Sequence, residues 1–323
     1  MAKIFEGCKN AMNIMRLKAG LNDDGRRIDR ILRRFCADLP VSAIHRLLRK
    51  GRVLIDGKRA EQGKRVRDGQ LIEVRGVDTR ARSDFSRRLD KPVPAKNKIN
   101  VLYEGGGILA IDKPCGMRVQ EELGAMARAY LEGKTAPSLS FTPGPLHRLD
   151  RWASGVLVFG CSLAGAQLFS ALMRESLLQK TYIALLEGSL RGEQVWQDNL
   201  FYSNTLRKTQ SATSAQIDGG KYAETHAAPL ELCGGFTLAK IEIKTGRTHQ
   251  IRAQAAARGF PLYGDRKYGG KNHPPFFLHA YSLMFPKDSP FPLSIYAPVP
   301  SAFAQKLSEL GFDSRGLLDS DLC

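Results

Sequence analysis

Residues 147–155 read His-Arg-Leu-Asp-Arg-Trp-Ala-Ser-Gly, and the apolar run Val-Leu-Val-Phe follows directly at residues 156–159. A run of this length and composition, ended by Gly160, is typical of a buried β-strand. Asp150 is therefore expected in a turn that enters a sheet, where a rigid scaffold can hold a functional side chain. The alternative is an aspartate at a helix start or in a turn whose charge the two neighbouring arginines simply neutralise. The local sequence leaves both interpretations of Asp150 open.

The charge of the chain indicates a polyanionic partner. Its 323 residues are enough for two domains, and 43% of them are hydrophobic, as in globular proteins. Lys and Arg outnumber Asp and Glu by 49 to 32, which gives a net charge of +17. Such an excess favours an extended phosphate polymer, because each neutralised phosphate releases condensed counterions; an anionic membrane surface is the competing partner.

The targeting and cysteine patterns favour a cytoplasmic protein. The sequence shows no apolar stretch of about 18 residues and no signal-peptide core, so we expect neither membrane insertion nor export. The six cysteines are scattered without a Cys-x-x-Cys pair, which argues against a zinc site or a disulfide framework and fits a reducing compartment. They are Cys8, Cys36, Cys115, Cys161, Cys233 and Cys323.

Residues 26–75 have the pattern of a small basic domain. Apolar residues at helical spacing predict one helix over residues 28–35 and a second that begins at Pro40 and ends at Gly51. Strands are predicted at residues 53–55 and 71–74, each next to an Asp-Gly turn. The charged residues on the outer side of the second helix are all basic. An ordinary solvated helix face is the alternative. The excess of basic over acidic residues instead favours phosphate contacts by Arg46, Arg49, Lys50 and Arg52.

The domain boundaries follow changes in composition. We predict a first domain at residues 1–75, a basic linker at 76–99, a second domain at 100–312 and a tail at 313–323. Strands are expected at residues 108–111, 182–186 and 235–243, and a helix capped by Ser162 carries Leu168, Phe169, Leu172 and Met173. Helices and strands alternate irregularly, which indicates an α+β fold on a mixed or antiparallel sheet rather than repeated βαβ units.

Several blocks in this order resemble the RluA-type pseudouridine synthases. The match covers His147-Arg148-Leu149-Asp150 with Ser154-Gly155, Lys180-Thr181-Tyr182, and Thr245-Gly246-Arg247-Thr248-His249-Gln250-Ile251-Arg252. Lys113-Pro114-Cys115-Gly116, Gly264-Asp265 with Tyr268-Gly269, Leu278-His279-Ala280 and Phe285-Pro286 complete it. Residues 26–67 resemble the alpha-L RNA-binding domain of ribosomal protein S-four. The arrangement is most similar to the RluC- and RluD-like subgroup that acts on large-subunit ribosomal RNA.

This resemblance implies an enzyme that breaks the N-glycosidic bond of a uridine in RNA, turns the uracil and rejoins it through carbon 5. It implies that Asp150 is catalytic, either as a nucleophile or as the base that removes a sugar proton. By the same resemblance, Arg252 pairs with Asp150, Tyr182 stacks on the target base, and Arg148 takes the place of the flipped base. His147, Arg247 and Gln250 of the matching blocks are further candidates for contacts with RNA. Considered alone, Tyr182 suits core filling and Arg252 a surface salt bridge.

The expected activity requires no cofactor. The sequence shows no P-loop and no dinucleotide-binding motif, and His147, His249 and His279 are too dispersed to suggest a metal site. We expect a monomer that binds large-subunit ribosomal RNA, with transfer RNA as the second candidate. A non-catalytic ribosome-assembly factor and a nucleosidase that releases uracil are the rival functions. The chain departs from the family at Ala153, usually Thr, and at Ala253-Gln254, usually an aliphatic residue and His; this puts the substrate in question more than the activity.

Overall fold

The computed structural model describes residues 14–36, 39–77, 99–203, 208–212, 220–272 and 274–313, and these form two compact units. The first unit contains the described part of Met1–Lys96 with Arg128–Gly144 and Cys161–Gly165, and the second contains the remainder. Residues 128–144 and 161–165 thus group with the first unit, although the predicted domains were continuous segments. The predicted linker at 76–99 and tail at 313–323 lie almost entirely outside the described residues.

The first unit is built on a four-stranded antiparallel sheet with the order β1-β4-β2-β3. Its N-terminal elements are β1 (Ile14–Lys18), a 3-10 turn (Leu21–Asp23), α1 (Ile28–Phe35), α2 (Val41–Arg49), β2 (Val53–Ile55), β3 (Lys58–Arg59) and β4 (Leu71–Arg75). Both predicted helices and both predicted strands are confirmed. Strand β1 was not predicted, although Met15 and Leu17 alternate with exposed residues and are buried.

Local sequence explains where the helices and the hairpin of the first unit form and end. Ile28, Ile31 and Leu32 of the predicted apolar face of α1 are completely buried, and Phe35 at its end is partly buried. Helix α2 ends where Gly51 adopts a left-handed conformation with φ +66°, which glycine accepts without steric cost. Asp56 and Gly57 both have positive φ, as a two-residue hairpin between β2 and β3 requires.

A buried aspartate joins residues 138–140 to the N-terminal part of the first unit. Asp23 has no solvent exposure, and its carboxylate accepts hydrogen bonds from the Ser138 hydroxyl at 2.8 Å and the Leu139 amide at 2.7 Å. The amide and the hydroxyl of Ser140 add two further bonds, at 3.0 and 2.7 Å. Several donors are needed because an uncompensated buried carboxylate is costly. This contact explains why residues 128–144 group with the first unit.

The second unit contains most of an eleven-strand β-sheet together with helices. Along the chain from residue 99 the strands are β5 (Asn100–Gly105), β6 (Ile108–Lys113), β7 (Gly144–Pro145), β8 (Ser154–Gly160), β9 (Gln179–Glu187), β10 (Gln194–Ser203), β11 (Lys208–Ala212), β12 (Lys221–Cys233), β13 (Phe236–Ile243), β14 (Leu278–Met284) and β15 (Ser294–Tyr296). Over the same stretch of chain the helices are a π-helical turn (Val119–Leu123), α3 (Gly124–Leu131), α4 (Leu163–Arg174), α5 (Gln250–Ala257), a 3-10 turn (Arg266–Tyr268) and α6 (Ser301–Glu309). Of these, residues 128–131 of α3 and 163–165 of α4 group with the first unit.

The sheet order is β11-β10-β12-β13-β9-β14-β8-β6-β5, with β15 beside β14 and β7 beside β8. The β8–β14 pairing is parallel, and the other pairings along this order, with β14–β15, are antiparallel. The predicted α+β class on a mixed sheet is therefore confirmed. Ser162 caps α4 by accepting the Gly165 amide at 3.0 Å, as predicted. The apolar run at 156–159 lies within β8, which is buried along its whole length.

Candidate active site

A buried lysine holds the turn that carries Asp150. Lys113, the last residue of β6, has no solvent exposure, and its ammonium donates hydrogen bonds to three carbonyl oxygens. They belong to Pro114 at 3.0 Å, Arg151 at 2.9 Å and Ala153 at 2.6 Å. Burial lowers the pKa of Lys113 from 10.5 to about 8. The Ala153 amide also donates to the Asp150 carbonyl at 3.1 Å, so the backbone from 150 to 153 is fixed at both ends.

Strand β14 fixes the start of β8 directly after this turn. Gly155 has φ +105°, and a Cβ atom there would lie 2.2 Å from the carbonyl oxygen of Ala280, so only glycine fits. His279 donates from Nε2 to the Ala297 carbonyl at 3.1 Å, which leaves Nδ1 to accept the Ser154 hydroxyl at 2.9 Å. Burial lowers the pKa of His279 to about 4, so the imidazole is neutral at neutral pH. The Ser-Gly pair is therefore a packing requirement of the sheet.

Arg252, on α5, joins two carboxylates. Its guanidinium contacts Asp265 through two hydrogen bonds, Nε to Oδ2 at 2.6 Å and Nη2 to Oδ1 at 2.9 Å. The remaining Nη1 donates to Asp150 Oδ2 at 2.9 Å. The guanidinium also lies over the rings of Tyr268 and Phe276, 4.7 and 4.5 Å from their centroids. Burial opposes the charge, but Asp265 and Asp150 raise the pKa of Arg252 overall.

Tyr182 is the third member of the predicted set. It lies on β9, where its backbone pairs with Ala280 of β14, the residue that also pairs with Gly155. The side chain is buried, which raises the pKa of Tyr182 above its usual range, and the charge of Asp150 adds to this effect. The phenol is therefore protonated at neutral pH. Strands β8 and β9 both pair with β14, which places Tyr182 near Asp150, and α5 brings Arg252 within hydrogen-bond distance of the same carboxylate.

Three residues around this set had no predicted role: Asp265 binds Arg252, His249 lies beside Asp150, and Lys113 holds the turn that carries Asp150. The imidazole Nε2 of His249 lies 3.5 Å from Asp150 Oδ1, the oxygen that Arg252 does not bind. All three residues stand inside the blocks that resemble the family. Their position in these blocks could have marked them as candidates, but a motif position does not show which way a side chain points.

Two of the predicted RNA contacts are accessible. Arg148, two residues before Asp150, is exposed. Arg247 is also exposed, and its Nε donates to the carbonyl oxygen of Tyr222 at 2.9 Å. Both side chains can therefore contact a phosphate or a base without any rearrangement of the core. Their contact with RNA stays a prediction.

His147 and Gln250 are engaged within the protein. His147 Nε2 accepts the backbone amide of Val158 at 3.1 Å, and its ring stacks against Phe169. Burial lowers the pKa of His147 to about 4, and Lys180 adds to this effect. Gln250 is 4% exposed. Its amide nitrogen donates to the Glu224 carbonyl and the Thr225 hydroxyl, and its amide oxygen accepts the Thr245 hydroxyl and the Arg247 amide.

A direct contact of Gln250 with RNA would break at least one of these four hydrogen bonds. Gln250 is the first residue of α5, and these bonds indicate instead that it ties residues 245–247 to strand β12. The sequence could not show this, because a motif match identifies a residue and not the direction of its side chain.

The basic candidates of the first unit lie on its surface. Arg46, Arg49, Lys50 and Arg52 are all exposed, as predicted for the outer side of α2 and the residues after it. The guanidinium of Arg59 donates to the carbonyl oxygen of Arg49. The end of α2 is thus fixed while the charged side chain of Arg49 stays accessible to a phosphate.

The two departures from the family pattern have different surroundings. Ala153 lies in the Asp150 turn and contacts Asp150 through its backbone. Gln254 is completely buried on the other side of α5, where its amide nitrogen donates to Asp198 at 2.7 Å and to the Trp196 carbonyl at 3.1 Å. Its amide oxygen accepts the Thr225 hydroxyl at 2.7 Å. Gln254 therefore supports the attachment of α5 to the sheet.

Among the described residues, no group of three or more His, Cys, Asp or Glu side chains has an arrangement that could hold a metal ion. In the same part of the chain, no helix has both the length and the apolar character needed to cross a membrane.

Comparison with known proteins identifies relatives of this chain. A family model described as RNA pseudouridylate synthase matches residues 107–257. Ribosomal large subunit pseudouridine synthase C of Escherichia coli (strain K12) is 31% identical over 279 residues, which are 82% of this chain and 86% of that protein. The protein of the same name from Vibrio cholerae is 29% identical over 308 residues, 88% of this chain and 93% of that protein. The solved structure of human RNA Pseudouridylate Synthase Domain Containing 1 is 21% identical, covers 68% of this chain and 97% of its own, and gives a TM-score of 0.52, which shows a shared fold.

Proposed function

The chain belongs to the RNA pseudouridine synthase family, and from this premise we propose that it isomerises uridines of large-subunit ribosomal RNA with Asp150 as the catalytic carboxylate. The observation that carries the proposal is the Arg252 guanidinium, which binds Asp150 at 2.9 Å while Asp265 fixes it from the other side. A carboxylate in a poorly hydrated site needs such a partner to stay ionised. Arginine suits this position because it keeps its charge when desolvated and binds carboxylates through a rigid fork.

The isomerisation balances without an external oxidant or reductant. The bond between the sugar C1′ and uracil N1 breaks, the base turns, and a bond forms between C1′ and C5. The hydrogen on C5 leaves as a proton, and N1 gains a proton. Asp150 begins the reaction either by attacking the sugar or by removing a sugar proton, and both routes need an ionised oxygen. Tyr182, protonated and adjacent, supplies a ring on which the uracil stacks.

The target base must leave its helical stack to reach Asp150. Flipping a paired base costs a few kcal/mol, and a side chain that fills the vacated space offsets part of this cost. Arg148 suits this role because it is exposed and stands two residues before Asp150. Its planar guanidinium can stack on the bases that remain in the helix.

Three observations support large-subunit ribosomal RNA as the substrate. The relatives described above are named as pseudouridine synthases of the ribosomal large subunit, and they align over most of this chain. The net charge of +17 favours a long phosphate polymer. The first unit presents its basic residues on an exposed helix face. One chain carries Asp150, Tyr182 and Arg252, so a cytoplasmic monomer suffices for the proposed reaction.

Mapping of pseudouridines in ribosomal and transfer RNA, from cells with and without the gene, tests the substrate. Sites in large-subunit RNA should disappear without the gene and return with the wild-type gene, but not with Asp150→Asn. Loss of sites in transfer RNA alone would contradict the proposed substrate. In purified protein, Asp150→Asn should abolish turnover with little change in RNA affinity, whereas the exposed Asp288→Asn serves as a charge-matched control. Turnover of Asp150→Asn within about tenfold of wild type would show that Asp150 is not catalytic.

A further inference from the structure

His249 occupies an unusual backbone conformation beside Asp150. It immediately precedes α5 and is left-handed, with φ +52° and ψ +28°. Non-glycine residues rarely adopt this conformation, and such strain is retained mainly where function requires it. The imidazole Nε2 lies 3.5 Å from Asp150 Oδ1, while Arg252 binds Oδ2. The two oxygens of Asp150 therefore have different neighbours.

The partners of Tyr268 determine which nitrogen of His249 carries the hydrogen. The hydroxyl oxygen of Tyr268 accepts the backbone amide of Thr209 at 2.9 Å and lies 2.8 Å from His249 Nδ1. The Thr209 side chain also hydrogen-bonds to the Tyr268 hydroxyl and lowers its pKa, as a donor does. Because the amide and this side chain both donate to the hydroxyl oxygen, its single hydrogen can point at Nδ1. Nδ1 is then the acceptor, and a neutral imidazole carries its hydrogen on Nε2, which faces Asp150.

The surroundings favour a neutral imidazole and a protonated phenol. Burial lowers the pKa of His249 below its ordinary value; the charge of Asp150 opposes this shift, and nearby cations add to it. Burial raises the pKa of Tyr268. The charged and titratable groups that face the imidazole are Asp150, Asp265, Arg252, Lys267 and Tyr268.

We propose that His249 is a positioning residue for the reaction: its Nε2–H holds the Asp150 oxygen that Arg252 leaves free. The Asp150 carboxylate is then held in one orientation, so that a defined oxygen faces the sugar. Thr209 orients Tyr268, Tyr268 orients His249, and His249 orients Asp150, so strand β11 contributes to the geometry of the site. A separation of 3.5 Å is long for a hydrogen bond, and contacts of this kind tighten when substrate binds. The inference rests on the proposed function, because it requires Asp150 to be catalytic.

Two substitutions at His249 separate its donor from its acceptor. Asparagine tolerates the left-handed backbone, and its amide oxygen can accept from Tyr268 as Nδ1 does, but it does not reach Asp150 with a donor. Glutamine can place an amide nitrogen near the position of Nε2. For His249→Asn we expect kcat to fall about tenfold, the effect of losing one hydrogen bond to a charged group, with KM for RNA within about twofold. His249→Gln should recover about threefold or more of that loss.

Tyr268→Phe gives an independent measurement, because it removes the hydrogen that selects the tautomer without changing His249. Its kcat should fall by less than that of His249→Asn, and combining the two substitutions should add little, because both act through the same contact with Asp150. His226→Asn is the control, since the imidazole of His226 pairs with Glu224 on strand β12 and should not affect kcat. Thermal unfolding of every variant reports whether the fold is intact.

The outcomes separate this inference from the proposed function. An active Asp150→Asn enzyme would overturn the proposed function itself. With Asp150→Asn inactive, a folded His249→Asn enzyme with wild-type kcat would overturn the positioning role alone. Equal losses in the asparagine and glutamine variants, or a raised KM with unchanged kcat, would also overturn it, because His249 would then act through packing or through a contact with RNA. If both His249 variants fail to fold, a wild-type kcat in Tyr268→Phe overturns it.

Discussion

Replacing Lys113 with methionine should reduce turnover far more than stability. Methionine has a similar length but no charge and no hydrogen-bond donor, so three carbonyl oxygens lose the ammonium as a partner. The Arg151 carbonyl still accepts the Gly116 amide at 2.9 Å. The carbonyls of Pro114 and Ala153 are left to find other donors.

The net effect on stability is the difference between two opposing contributions. A buried carbonyl without a partner costs about 1–3 kcal/mol, so two of them cost roughly 4 kcal/mol. Methionine also removes the cost of burying an ammonium. The fall in the pKa of Lys113 from 10.5 to about 8 corresponds to about 3 kcal/mol of that cost. At neutral pH we therefore expect the free energy of unfolding to decrease by only about 1 kcal/mol.

Turnover should respond more strongly because Ala153 closes the turn that carries Asp150. A displacement of about 1 Å in a catalytic group can cost about 100-fold in rate, and we expect kcat to fall by that order. The assay follows tritium released from carbon 5 of labelled uridine in RNA under single-turnover conditions at saturating enzyme. Lys287→Met, which removes a lysine from the exposed surface, is the control and should keep wild-type turnover.

The dependence of stability on pH provides the second measurement of this prediction. The pKa of Lys113 falls from 10.5 in the unfolded chain to about 8 in the folded protein. Between these values the unfolded chain binds more protons, so the stability of the wild type rises with pH across this window. Relative to Lys113→Met, the rise should reach about 3 kcal/mol in denaturant titrations. A stability difference that is independent of pH, together with wild-type kcat in Lys113→Met, would refute the reasoning.

Three shorter predictions concern other contacts. Arg252→Ala leaves Asp265 buried without its partner, so the free energy of unfolding should fall by about 3–5 kcal/mol, as denaturant titration will show. The tritium assay should show no turnover at temperatures where this variant is still folded. Gly155→Ala should destabilise the protein by several kcal/mol because its Cβ has no room beside Ala280, whereas a melting temperature equal to that of the wild type would contradict this packing. Arg46→Ala should reduce the slope of log affinity for RNA against log salt by about 1 without changing kcat; an unchanged slope would mean that Arg46 does not contact phosphate.

The sequence predicted the elements that depend on local pattern. Helices α1 and α2 and strands β8 and β13 follow from apolar spacing and turn residues, which act over a few positions. The pairing of β8 with β14 joins residues more than a hundred positions apart, and no local pattern encodes it. For the same reason, the role of Gly155 becomes clear only when the carbonyl of Ala280 is seen beside it.

In the candidate site, too, the sequence predicted some features and left others to tertiary packing. Asp150, Tyr182 and Arg252 were found through their resemblance to a family, which identifies residues by position in a motif. The resemblance did not distinguish Arg247, which is exposed, from Gln250, which is buried and bonded to strand β12. The direction of a side chain depends on tertiary packing, and so the motif predicted the set of residues better than their individual roles.

The geometry around Arg252 explains why the site contains two aspartates. Asp265 takes the two-point contact and is almost completely buried, with 1% of its side chain exposed, so it fixes the plane of the guanidinium. The remaining nitrogen can then point only towards Asp150, whose side chain keeps 16% exposure. A lysine could supply the charge but not this orientation, because an ammonium lacks a planar fork. Asp150 thus gains a fixed cation on one oxygen while its carboxylate stays accessible, which is the combination that a carboxylate acting on a flipped nucleotide requires.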